Sequence, residues 1–171
     1  MNYDPKAKIV GALREAGYNQ RQVSVREDGG SLEWSFYLTI RDPSVNFKEV
    51  EQIAKNCQDI SYDSASGEIL GGGNTFVFVR VADEVIDAWA KKYTTKVALA
   101  IERLKALDPD DYSGVDIGPA CLTFENSSRY TLGLWDNLNS RWYKHGFSLT
   151  SIRSISAAIY RLEMENSVPL F

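Results

Sequence analysis

The chain has 171 residues, 44% hydrophobic and 25% charged, with a net charge of -4. That is a globular composition able to bury one sizeable core or two small ones, and it argues against a whole-protein electrostatic grip on nucleic acid. No basic stretch followed by an apolar run opens the chain, and no apolar run approaches the ~20 residues that span a bilayer, so a soluble, cytoplasmic protein with no membrane partner is expected.

Lys6 to Ala16 place Ile9, Val10 and Leu13 at helical spacing, and Gly17 follows where a glycine ends a helix at little steric cost. Gln22 to Arg26 reads as a short strand and Asp28-Gly29-Gly30 as a turn. From Leu32 to Arg41, Leu32, Trp34, Phe36, Leu38 and Ile40 alternate with Glu33, Ser35, Tyr37, Thr39 and Arg41, the period of a strand with one buried face. Asp42-Pro43-Ser44 stops it, because proline has no N–H for the ladder, and Asn46 caps a helix at Phe47 to Asn56. A second hairpin is expected next: a short strand ending near Tyr62, a polar turn, Gly71-Gly72-Gly73, and a dense strand at Thr75 to Val81. Those glycines lead into a strand and no GK[ST] follows, which speaks against a phosphate loop. Phe76 and Phe78 are read as core rather than as base-stacking aromatics. The expectation for 1–81 is an αββαββ domain with both helices on one face of a four-stranded antiparallel sheet.

Ala82 to Leu107 places Val85, Ile86, Trp89, Tyr93, Val97, Ile101 and Leu104 at three- and four-residue spacing, the pattern of one long helix. Asp83, Glu84 and Asp87 lie in its first turns, where carboxylates suit the helix dipole. Asp108-Pro109-Asp110-Asp111 ends it in an acidic corner that lacks the EF-hand pattern. Region 82–111 thus connects to 112–171, read as a three-stranded meander (Ala120 to Glu125, Arg129 to Trp135, Ser140 to His145) and a final helix from about Ser148 to Glu163. The fold class is α+β.

VSVR at Val23 to Arg26, FKEVEQIAKNCQDISYD from Phe47, and SGEILGGGNTFVFVRV from Ser66 together resemble a large polyvalent protein associated domain, a family of phages, plasmids and conjugative elements. The resemblance rests chiefly on Gly67 to Thr75 and the strand after it and covers roughly the first half of the chain. It implies an α+β domain and a mobile-element setting, and it brings no catalytic residues.

The meander carries the most unusual surface composition. Arg129, Tyr130, Trp135, Arg141, Trp142, Tyr143, Lys144 and His145 interleave cations with aromatics, and alternation puts Arg141, Tyr143 and His145 on one face with Trp142 and Lys144 on the other. Protein-interface hot spots and single-stranded nucleic-acid grooves both use this mixture. The plainer reading makes Trp135 and Trp142 core residues beneath the final helix.

Catalysis finds little footing. His145 is the sole histidine, no serine stands in GxSxG, and Cys57 and Cys121 have neither a CxxC nor a local partner and read as buried thiols. No catalytic residue, cofactor or metal site is expected. The expected function is a non-enzymatic binding protein of a phage or mobile element, most concretely an inhibitor of a host defence system of the anti-CRISPR or anti-restriction type. It would act by contact with a host or element-encoded protein complex, with Asp83, Glu84, Asp87, Asp108, Asp110 and Asp111 as acidic surface. The alternative is a nucleic-acid-binding accessory module. In either case the partner-binding candidates are Arg129, Tyr130, Arg141, Trp142, Tyr143, Lys144 and His145.

Overall fold

A computed structural model describes residues 4–29, 33–107, 114–126, 129–143 and 149–167, with the backbone alone described at 125, 126, 129–131 and 167. The chain divides into two units, Met1–Val85 and Ile86–Phe171.

In the first unit α1 (Pro5–Glu15) begins where the Asp4 carboxylate accepts the Ala7 N–H at 3.1 Å, with proline in the first turn, where its missing N–H costs nothing. β1 (Val23–Gly29) and β2 (Trp34–Ile40) pair antiparallel, and α2 (Phe47–Cys57) is capped by Asn46, which accepts from Lys48 and Glu49. β3 (Thr75–Val81) then joins β2 in parallel, with Phe36 opposite Val77 and Tyr37 opposite Phe78. The sheet is therefore three-stranded and mixed, in the order β1-β2-β3, and not the four-stranded antiparallel sheet expected from the sequence. A parallel neighbour needs a crossover, which α2 supplies. The strand expected before the glycines shrinks to isolated bridges, Asp59 with Thr75 and Tyr62 with Ile69.

Polar contacts hold that intervening loop instead. The Asp63 carboxylate accepts the Ala65 and Ser66 N–H groups. Gly72 and Gly73 take φ of +91° and +78°, open to glycine at little cost, and they deliver Asn74 into a buried position. Its side chain accepts the Ser61 N–H at 2.9 Å and donates to the Leu70 carbonyl at 2.6 Å and the Glu33 carboxylate at 3.1 Å. The glycine stretch thus ends in a polar clasp. Both helices cover one sheet face, where Ile9, Leu13, Val50 and Ala54 bury Val23, Phe36, Leu38, Ile40 and Val77.

The single helix expected over 82–107 is two, α3 (Asp83–Lys91) and α4 (Thr94–Lys105). The break falls at Tyr93, whose φ widens to -113° with ψ at -6°, and the Thr94 hydroxyl donates to the Ala90 carbonyl at 2.9 Å, an alternative bond that threonine offers the backbone. In the second unit β4 (Val115–Ile117), β5 (Ala120–Asn126), β6 (Arg129–Asp136) and β7 (Arg141–Trp142) form a four-stranded antiparallel sheet in sequence order, one strand more than the meander expected. The added strand turns through Gly118 at φ +61° into Pro119, so that Ile117 faces Ala120. α4 and α5 (Ile152–Ser167) pack on the sheet around Tyr93, Val97, Leu104, Leu122, Leu134, Ile155 and Ile159. Among the described residues no helix is long and apolar enough to cross a membrane.

Candidate binding surfaces

Alternation along β6 decides which side chains of the second sheet meet solvent. Leu132, Leu134 and Asp136 are buried with the helices, so Gly133 and Trp135 belong to the opposite face, where Trp135 stands opposite Cys121 on one side and Trp142 on the other. Trp142 is 49% exposed and meets Trp135 edge to face, with ring centres 5.5 Å apart. Its ring lies over Gly133, where a Cβ would come within 2.4 Å of Cζ3. Trp135 and Trp142 are therefore not core residues under the final helix, as the plainer reading of the sequence had it. The aromatic that turns inward is Tyr143, buried beside the Arg161 and Glu165 ion pair, whose Nε and Oε1 are 2.7 Å apart.

Of the other sequence candidates, Arg141 is exposed and held by Asp136 at 3.5 Å, and the buried Asp136 also accepts the N–H groups of Leu138 and Asn139. Arg129 and Tyr130 lie in β6 with their side chains outside the described set, and Lys144 and His145 lie outside the described residues. The acidic candidates divide likewise. Asp83 and Glu84 are exposed at the start of α3, Asp87 is ion-paired with Arg153, and Asp108, Asp110 and Asp111 lie outside the described residues. The Cys121 thiol is pushed up by burial and by the neighbouring Asp116 carboxylate, which keeps it protonated and a poor nucleophile.

The sequence reading missed a second surface. On the first sheet, the face turned away from α1 and α2 carries Ser24, Arg26 and Asp28 from β1, Ser35, Tyr37 and Thr39 from β2, and Phe76, Phe78 and Arg80 from β3. Arg26, Tyr37 and Phe78 stand in one row across the three strands. Tyr37 and Phe78 stack at 5.4 Å and 24°, and Phe76 and Phe78 at 6.4 Å and 11°. The Arg80 guanidinium lies 3.6 Å above the Tyr37 ring. Phe78 is 46% exposed, so the expectation that Phe76 and Phe78 are core is corrected. A signal was present: Phe76 and Phe78 share their parity with Arg80, and an arginine at the end of an alternating run marks the wet side.

No family model, curated protein or solved structure matches this chain. Its two surfaces differ in chemistry, an indole pair on one sheet and a paved row of rings with guanidinium groups on the other. Among the described residues no three His, Cys, Asp or Glu side chains gather as a metal site.

Proposed function

We propose that this is a non-enzymatic binding protein that holds a protein partner on the outer face of its second sheet, centred on Trp142 and Trp135. The seating of Trp142 carries the reading. A glycine inside a strand costs about 0.5–1 kcal/mol relative to alanine. Gly133 bears that cost in a position whose evident use is to let an indole lie flat on the solvent side of the sheet. Tryptophan is a residue type on which protein interfaces concentrate their energy, and Trp142 is half exposed. The resemblance of Gly67 to Thr75 and the strand after it supports a phage or mobile-element setting. In that setting the most concrete form is an inhibitor of a host defence complex, of the anti-CRISPR or anti-restriction type.

The test is protection of a phage. Cells carrying an active CRISPR or restriction system and expressing the chain are challenged with a phage that the system targets. Raised plating is expected, lost in Trp142→Ala while the thermal midpoint is kept. Unchanged plating against both kinds of system, or full protection by Trp142→Ala, overturns the reading.

A further inference from the structure

The open face of the first sheet carries two cations, Arg26 and Arg80. Lys6, Lys92, Arg141, Arg153 and Arg161 are each matched to a carboxylate, from Glu27 to Glu165. Arg26 and Arg80 are exposed, and no described carboxylate pairs with either. Beside them the rings of Tyr37 and Phe78 stack at 24°, and those of Phe78 and Phe76 at 11°. This stack sits at the surface and leaves aromatic area open to solvent, with Phe78 half exposed. The Arg80 guanidinium lies 3.6 Å from the Tyr37 ring centre, and Arg80 is exposed, so it offers stacking surface and N–H groups to an anion.

We propose that this face is a separate site for single-stranded nucleic acid, with bases stacked on Phe78, Phe76 and the Arg80 plane and phosphates held by Arg26 and Arg80. Flat rings accept any base, and the guanidinium groups supply the charge complementarity that an extended phosphate backbone requires. A duplex keeps its bases stacked on one another and cannot lay them on the sheet, so single strands are preferred. Asp28 lies on the same face at the Ser35 and Phe76 end, opposite in charge to the arginine end, and so directs the backbone toward Arg80 and Arg26. This site lies outside the meander and does not depend on the tryptophan surface.

The test is fluorescence anisotropy of the full chain with labelled oligothymidine, oligouridine and a duplex of equal length, at low and physiological salt. Both single strands are expected to bind more tightly than the duplex, and neutralising two phosphates gives a salt slope of about -1.4 for single strands. Phe78→Ala is expected to weaken binding by about fivefold to a hundredfold, the range for removing one stacking ring. Phe78→Leu keeps apolar surface without a stacking plane and is expected to behave alike, with the thermal midpoint showing that the fold is kept. Arg26→Gln with Arg80→Gln flattens the salt slope, and Trp142→Ala leaves affinity unchanged. Absence of binding at low salt, equal affinity for the duplex, or binding that survives both the Phe78 and the double arginine variants overturns the proposal. So does phage protection that depends on Phe78 without any oligonucleotide binding, which would assign the face to a protein.

Discussion

Replacing Gly133 by alanine puts a methyl group where the Trp142 ring now rests. The new Cβ would stand 2.4 Å from Cζ3 and 3.0 Å from Cη2, both far inside ordinary contact. Reaching about 3.5 Å requires the indole to lift by roughly 1 Å. Trp142 is half exposed, so it buries on the order of 100 Å², worth about 2.5 kcal/mol. A gap of that size forfeits a quarter to a half of the contact, or about 0.6–1.3 kcal/mol. Against it stands a backbone gain of about 0.5–1 kcal/mol for replacing glycine in a strand. The two effects nearly cancel, so the second unit should melt within a few degrees of the parent. The geometry of the indole pair should not survive. The exciton couplet that two indoles at 5.5 Å produce in the far-UV circular dichroism spectrum is expected to weaken, and phage protection to fall with it. A loss of more than about 2 kcal/mol, or an unaltered couplet, would refute the claim that Gly133 serves as the seat of a surface ring.

Other outcomes follow from the polar contacts. Asn74→Ala removes three hydrogen bonds, but Ser61, Leu70 and Glu33 stay near water, so the first unit should lose about 2–3 kcal/mol in urea unfolding with an unchanged m-value. Arg161→Met alone strands Glu165 in a buried position and should cost about 3–5 kcal/mol, while Arg161→Met with Glu165→Leu should recover most of that loss. At low pH, burial raises the Glu163 carboxyl, but hydrogen bonds from Lys92 and Tyr93 and the charges of Lys92 and Lys96 bring it below its usual 4.5. Its stabilisation is present above 4.5 and lost as pH falls through the folded value, and Glu163→Gln should remove that slope, by a few tenths of a kcal/mol for so exposed a pair, in melts across the acid range. At high pH, burial and then the Glu163 hydrogen bond push the Tyr93 phenol from 10.0 up to about 12, so stability should fall as pH rises between those values. In Glu163→Gln, phenolate absorbance should appear earlier.

Local pattern was legible in the sequence and pairing was not. The alternation of Phe36, Leu38 and Ile40 against Tyr37 and Thr39, the Asn46 cap, and the mixed α+β class all appear as read. The dense run Thr75 to Val81 announces a strand, yet nothing in its periodicity says whether its neighbour is the segment before it or a strand one helix earlier. The second choice makes the sheet mixed. Tyr93 fits a helical stripe whether or not the helix bends there, because its ring points into the core in either case. Trp142 and Tyr143 are adjacent and of similar bulk, so parity alone left open which one turns inward. The decision rests with Gly133, across the sheet, which offers space on one face only.

Parallel pairing of β3 with β2 also has a consequence for where the chain can be cut. The β1–β2 hairpin is a local pairing, whereas β3 reaches β2 across α2 and the clasped loop, a contact of long sequence separation of the kind that closes slowly. A nascent or truncated chain that stops after Cys57 leaves β2 with an open edge beside Phe36 and Leu38, a template for pairing with a second molecule. A soluble fragment of the first unit should therefore extend through Val81.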